Sequence, residues 1–575
     1  MSQRVLHGLA AAGGVAVGRA LVVHDPEPAE TEGAGGEAEQ DRAVAALGLV
    51  ADELGRLAQV ARAAGRAEEA DILDANRLIA QDPELLEEVR ALAESASAAA
   101  SVRRATARHA DLLSALDDPL LAARAADVRQ LGRRAARLLS GAPTFSPPRF
   151  PAILVARDLG PADVAELELA GGRVRGIALA EGAGTSHVAI MARSLELPMA
   201  VGLGDELLET REGEEIVLDG ENGVVVVAPA PHVRRRALAA VERRLGERRT
   251  LAQARDLPAV TRDGRELKLL CNASTSAEVA AGLAAAAEGV GLLRTELAFL
   301  QFETWPEEAD HVACLEPVLA SLAGRIATVR TLDFGADKTP PFLAGTTERG
   351  LALTLAHPEA LTDQLRAFLR AAAGARLRIL LPMVEAADEL RTARRLLFEA
   401  LDTTAWTGAA PEVGAMIETP AAAGRAQEIA AEAAFLSIGT NDLVQYTLGL
   451  DRELPLASAQ AAADPAVLGH VAAVVEAAHA RGIPVEVCGE AAGEPPLVAL
   501  LVGLGVDELS VAPARLDEVR AVVRGLSFAA AARTALAALE AGSAEASLGL
   551  GRALVSAEAR DELGEARDSL DGVVA

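Results

Sequence analysis

Gly289-Val290-Gly291-Leu292-Leu293-Arg294-Thr295-Glu296 is an apolar run of strand length that ends abruptly on charge. The pattern recurs. Runs 267–271, 289–293, 326–331, 377–381, 413–417, 435–438, 484–488 and 508–511 alternate with Ala-rich helical segments. Eight such β/α units predict a (β/α)8 TIM-type barrel, a fold that places chemistry at the carboxyl ends of its strands. Polar residues fall at those ends: Asn272, Arg294 with Glu296, Arg330 with Asp333, Glu418, Asn441 with Asp442, and Cys488 with Glu490. One polar residue closing a strand is a cap. Charge closing run after run asks for another explanation.

Glu418 and Asp442 end consecutive strands, and two converging carboxylates with the rest of the shell open are a common way to hold Mg2+. Arg294, Arg330 and Arg452 offer forked donors for phosphate or carboxylate, and Lys338 adds a point charge. Any one of these is by default a surface cation. Together with the carboxylate pair they describe a site for a small, highly anionic phosphorylated acid. Cys488 ends an apolar strand and, on its surroundings alone, reads as a structural thiol.

Outward toward the amino terminus, Gly184-Thr185-Ser186-His187-Val188-Ala189-Ile190-Met191-Ala192-Arg193 sets a histidine behind two hydroxyl residues at the start of a helical run. Thr185 or Ser186 can cap that helix, whose free amides and dipole favour an anion beside His187. A neutral imidazole there can attack phosphorus and hold the phosphoryl group. By itself the segment is equally a capped helix with a solvated histidine. Strand-like runs at 152–156, 176–179 and 215–219 surround it. Residues from about 38 to 139 read helical throughout, with Leu47, Leu54 and Leu57 at helical spacing. These features predict a multidomain α/β chain. A phosphohistidine α/β domain (1–23 and 146–230) carries an inserted helical bundle (24–145). A linker helix (231–256) and the barrel domain (257–575) follow. If His187 is loaded in the barrel, its domain must swivel toward the barrel mouth and away again.

The chain has 575 residues and a net charge of −28, which disfavours nucleic acid and anionic membrane surfaces. Its three cysteines match no zinc spacing, no run is long enough to span a bilayer, and no secretory leader is evident, so a cytoplasmic location is expected.

The motifs together resemble Enzyme I of the sugar phosphotransferase system, the phosphoenolpyruvate–protein phosphotransferases, over almost the whole length. Thr185-Ser186-His187 with Ile190-Met191-Ala192-Arg193 is similar to the family's phosphohistidine motif. Gly291 through Glu296 and Val329-Arg330-Thr331-Leu332-Asp333 resemble its substrate-arginine segments, with Asp337-Lys338 following. Glu418-Thr419-Pro420-Ala421-Ala422 and Ser437 through Leu443 resemble its metal and phosphate segments, and Asp451-Arg452 and Val487-Cys488-Gly489-Glu490 complete the set. The resemblance implies phosphoryl transfer from phosphoenolpyruvate to His187 and on to a histidine of the phosphocarrier HPr, with release of pyruvate. It implies Mg2+ on Glu418 and Asp442, and substrate on Arg294, Arg330, Lys338, Asn441, Asp442 and Arg452. Thr185 and Ser186 support the histidine. The resemblance further implies that the barrel domains form a homodimer and that the helical bundle docks HPr. By the same resemblance Cys488, read above as structural, would be the proton donor to the enolpyruvate carbon.

Some positions depart from the family. Gly182-Ala183-Gly184 replaces two glycines and an arginine, Ala12-Gly13-Gly14 replaces Ser-Pro-Gly, and Ala352 stands in place of an arginine. The Asn-Pro-x-Leu-Gly turn upstream of Arg349 is absent, so the resemblance leaves open whether Arg349 binds substrate. Phosphoenolpyruvate synthases and pyruvate phosphate dikinases share the histidine domain and barrel, but their ATP-grasp domain has no counterpart here. A catalytically impaired regulatory paralogue is the remaining alternative, and the retained Arg, Glu, Asp, Cys and His set disfavours it.

Overall fold

In the computed structural model, the described residues are 3–23, 35–63, 67–115, 119–141, 148, 150–169, 173–182, 186–195, 197–300, 302–335, 339–372, 374–404, 406–450 and 459–563. The chain divides into two compact units, Met1–Glu247 and Arg248–Asp571.

The first unit is built on an eight-stranded mixed sheet. Its strands are β1 (Arg4–His7), β2 (Leu9–Ala12), β3 (Val15–Val22), β4 (Ala152–Ala156), β5 (Val174–Leu179), β6 (Met199–Val201), β7 (Glu215–Asp219) and β8 (Val224–Val227), in the order β1-β8-β7-β3-β4-β5-β6-β2. Strands β3 to β6 run parallel, and β4 is buried along its whole length, as a continuous Ala-Ile-Leu-Val-Ala run requires when both faces are covered. Five helices lie between β3 and β4 in the chain: α1 (Glu37–Ala63), α2 (Ala67–Ala80), α3 (Pro83–Ala93), α4 (Ala98–Ser114) and α5 (Pro119–Ser140). Their starts follow local rules. Asp82 accepts the Glu84 amide ahead of Pro83, and Ser97 accepts that of Ala100. Leu47, Leu54 and Leu57 of α1 are fully buried, in an apolar cluster that continues to Leu154 of β4. Helix α6 (Pro161–Leu169) and helix α7 (His187–Ser194) flank the sheet, and α8 (Pro231–Gln253) follows β8.

The second unit is a closed parallel barrel. Its strands are β9 (Lys268–Ala273), β10 (Gly289–Leu293), β11 (Ile326–Arg330), β12 (Arg376–Leu381), β13 (Glu412–Ile417), β14 (Leu436–Ile438), β15 (Val485–Val487) and β16 (Glu508–Val511), and β16 closes onto β9. Each apolar run quoted above coincides with a strand to within two residues. Outward residues such as Val413, Ala415 and Ile417 join the core beneath the surrounding helices, while Leu292, Leu380, Met416, Phe435 and Cys488 form a smaller cluster of their own. Among the described residues, no single helix is long and apolar enough to cross a membrane.

Candidate active site

The barrel's carboxyl end gathers what the strand ends offered singly. Arg330, the last residue of β11, is 5 % exposed. Its guanidinium donates to Glu296 Oε1 at 2.7 Å and pairs with Asp333 Oδ2 at 3.0 Å. Burial works against its charge, but Glu296, Asp333 and Glu418 outweigh it and hold the group firmly cationic. Next to it, Arg294 follows β10. Its backbone is pinned by a 2.9 Å bond from its amide to Ala273, and its half-buried guanidinium has no protein partner among the described residues. Thr295 Oγ1 donates to the Arg330 carbonyl at 2.9 Å and accepts from Gln364 Nε2 at 3.2 Å, which ties the two strand ends together.

Glu418 follows β13 and is buried. Its Oε1 accepts the Met383 amide at 2.9 Å. Met383 has φ of 53°, a left-handed conformation that a side chain disfavours, so the amide's aim at the carboxylate is maintained at some backbone cost. Asp442 lies in the first turn of the helix Thr440–Leu448, directly after β14, and is also buried. Burial, with the charges of Asp333 and Asp442, pushes the Glu418 carboxyl up to about 8. Hard oxygen donors, crowded negative charge and an Oε2 that accepts no hydrogen bond among the described residues fit a divalent cation, which would keep both carboxylates ionised. Gly439 permits the approach: a Cβ there would stand 2.8 Å from Glu418 Oε2.

Arg349 joins this cluster. Its Nη1 donates to Asp442 Oδ1 at 2.9 Å, and its Nε stands 3.5 Å from Asp333 Oδ1. Burial opposes its charge too, and Asp333 and Asp442 prevail, so it stays cationic.

Cys488 directly follows β15 and is 2 % exposed among Leu292, Leu380, Met416 and Phe435. Ser437 Oγ donates to its sulfur at 3.3 Å. Burial, with Glu486 adding to it once that carboxyl is itself ionised, pushes the thiol up to about 12, so it keeps its proton at neutral pH. Asn272 Nδ2 donates to the Cys488 carbonyl at 3.0 Å, and Asn441 Oδ1 accepts the Glu490 amide at 3.0 Å, so both asparagines brace this loop.

In the first unit, Ser186 is the N-cap of α7, its hydroxyl accepting the Ala189 amide at 3.3 Å, and His187 is the first helical residue. Thr185, Lys338 and Arg452 lie outside the described residues. Arg349, whose substrate binding the resemblance leaves open, stands in the cluster. Two neighbours carry no signal in the sequence: the Met383 amide, and Glu486, which hides in a Val-Glu-Val strand.

Residues 248–528 match the family "PEP-utilising enzyme, PEP-binding domain", 149–223 its mobile domain and 7–124 its N-terminal domain. A phosphoenolpyruvate-protein phosphotransferase of Bacillus sp. (strain S) is 34% identical over 561 residues, covering 94% of this chain and 97% of that protein. The chain belongs to the phosphoenolpyruvate-protein phosphotransferase family. It is therefore a member of a transferase family. A multiphosphoryl transfer protein of Rhodobacter capsulatus is 40% identical over 490 residues, which span 83% of this chain but only 58% of that protein. A solution structure described as Enzyme I (nEIt) aligns with 41% of this chain and 97% of its own, at 30% identity and a TM-score of 0.34.

Proposed function

We propose that this phosphotransferase moves the phosphoryl group of phosphoenolpyruvate to its own His187 and then to a histidine of HPr, releasing pyruvate, as the first step of a sugar phosphotransferase system. One observation supports this most: the Arg294 guanidinium, without a partner among the described residues, directly follows the strand next to that of cationic Arg330, at the same barrel end as the Glu418 and Asp442 carboxylates. That combination suits a substrate bearing both phosphate and carboxylate.

Arg294 and Arg330, with Arg452 and Lys338, take the substrate's anionic groups, and Asn441 and Asp442 line the same edge. Glu418 and Asp442 are the residues to hold Mg2+, which when bound supplies positive charge against the phosphate and the developing enolate. Ser186, with Thr185, fixes the start of α7 so that His187 meets an anion at a helix N-terminus. Cys488 delivers the proton that the departing enolate needs at carbon, and its high thiol pKa keeps that proton in place until then. The domain division follows: 1–23 and 146–230 for the histidine domain, 24–145 for HPr docking, 231–256 for the linker, and 257–575 for substrate and homodimer formation. A cytoplasmic setting accords with this role. Incubation with phosphoenolpyruvate labelled in phosphorus tests the core of the proposal. The parent chain gains acid-labile label and H187A gains none; equal labelling of H187A refutes it.

A further inference from the structure

Strand β15 carries a second inward residue below Cys488. Side chains alternate along a strand, so Glu486 and Cys488 share the barrel's inner face, while Val485 and Val487 join the outer core. Glu486 is 1 % exposed, and neither carboxylate oxygen has a hydrogen-bond partner among the described residues. Its Oε1 lies where a Cβ on Gly291 would approach to 2.7 Å, and the same Cβ would meet Ser510, so glycine at 291 is what leaves room for the carboxyl.

An ion cluster fills the barrel toward its amino end. Glu508 accepts from Lys268 Nζ at 2.7 Å and from Arg378 Nη1 at 2.7 Å, and Arg378 Nε reaches Glu412 at 2.9 Å. Both cations are thus committed to other carboxylates. Lys268 is half exposed and, with Glu508, lines a cavity of about 830 Å³ at the barrel foot, beside Asp507 and His479. Ionisable groups therefore lead from that cavity, through Lys268 and Glu508, to a buried acid that no bond holds in place. Above it stands the thiol. Burial and the Glu508 charge keep Glu486 protonated well above the ordinary carboxyl range, against the pull of Arg378 and Lys268.

We propose that Glu486 is a proton relay that recharges the Cys488 thiol from the amino-terminal end of the barrel. This rests on the reading of Cys488 as the proton donor. The enolate's electron pair takes the thiol proton: a C–H bond forms, the S–H bond breaks, and sulfur keeps the pair as thiolate. The thiolate then takes the proton of the Glu486 carboxyl, leaving a carboxylate that is neutralised by a proton from solvent at the barrel foot. Because its oxygens have no partners, the carboxyl turns between Glu508 and the thiol without breaking a hydrogen bond. A route from below also serves while pyruvate still occupies the mouth. Glu486 acts through Cys488 and does not touch substrate.

The test uses the full chain with magnesium, phosphoenolpyruvate and carbon-labelled pyruvate in D2O. Label passing from pyruvate into phosphoenolpyruvate returns the thiol proton in each reverse step and needs no recharging. Deuterium appearing in the pyruvate methyl group does need it. E486Q, close to glutamate in size but unable to relay, is expected to lower the ratio of deuterium uptake to carbon exchange at least tenfold. An unchanged ratio overturns the relay, whether both rates stay at the parent level or fall together, since a packing role moves both alike. C488A separates the premise: it should abolish both rates, and if it retains both, the assignment of Cys488 fails whatever E486Q does.

Discussion

Arg349 donates to Asp442 at 2.9 Å, so the carboxylate proposed above to hold Mg2+ also carries a guanidinium. The same arginine stands 3.5 Å from Asp333 and thus bridges two acids from different strand ends. Without it, Asp333, Asp442 and Glu418 face one another in a buried site with one cation fewer, Arg330 remaining beside Asp333 and Glu418. R349A is expected to slow labelling by phosphoenolpyruvate roughly 100-fold or more, the scale of losing a preorganised charged donor. R349K should recover part of that, since it keeps the charge but not the forked reach. Labelling of R349A within twofold of the parent would remove Arg349 from the site.

The sequence left the part of this arginine open for a physical reason. A buried parallel strand is a continuous apolar stretch, so the barrel's strands could be read directly, and so could Arg294, Arg330, Glu418 and Asp442, which adjoin them. Arg349 adjoins no strand. It is the N-cap residue of the short helix Gly350–Ala356, and only tertiary closure brings it to Asp442. Glu486 was missed for the opposite reason. Val-Glu-Val is the alternation of a strand with one wet face, yet inside a closed barrel neither face is wet. The helical character of residues 38–139 was legible because apolar residues such as Leu47, Leu54 and Leu57 recur at helical spacing.

His311 gives the second unit an acid sensitivity. It is fully buried, lies edge-on to Phe299 with centroids 4.7 Å apart, and neither ring nitrogen has a hydrogen-bond partner among the described residues. Burial pulls its pKa down to about 4, below the ordinary 6.5. The unfolded chain therefore binds the proton more readily, and stability is lost as pH falls from 6.5 toward 4. Up to about 3 kcal/mol is at stake. Urea denaturation should show H311L losing less stability than the parent between pH 7 and pH 4.5. Identical losses would place the acid sensitivity elsewhere.

Arg134 of α5 plays the comparable part in the first unit. It is 3 % exposed and pairs with Glu53 of α1 at 2.9 Å, Asp163 of α6 at 2.8 Å, and Glu166. Burial, and the neighbouring Glu53 and Asp163, push Glu166 up to about 7 despite the guanidinium. R134A leaves three acids facing one another, and a loss of about 3–5 kcal/mol is expected at pH 8. At pH 5.5 Glu166 is protonated and the repulsion smaller, so the loss should shrink. A loss independent of pH would mean that packing of the arginine stem, not its charge, is what α5 contributes.

The last prediction concerns transfer to HPr. Leu49, Leu78 and Leu112 stand exposed on α1, α2 and α4, which would suit a dock of apolar character. The chain's net charge of −28 argues instead that a basic partner is drawn in electrostatically. Salt separates the two, because exposed charges are screened beyond about 10 Å at 0.1 M whereas apolar burial is not weakened by salt. Stopped-flow transfer from the phosphorylated chain to purified HPr should slow about tenfold or more as salt rises from low to physiological strength, chiefly through the association rate. L112S should then alter transfer little at low salt. A rate insensitive to salt but lowered by L112S would transfer the recognition to the leucines and leave the acidic surface without a part in docking.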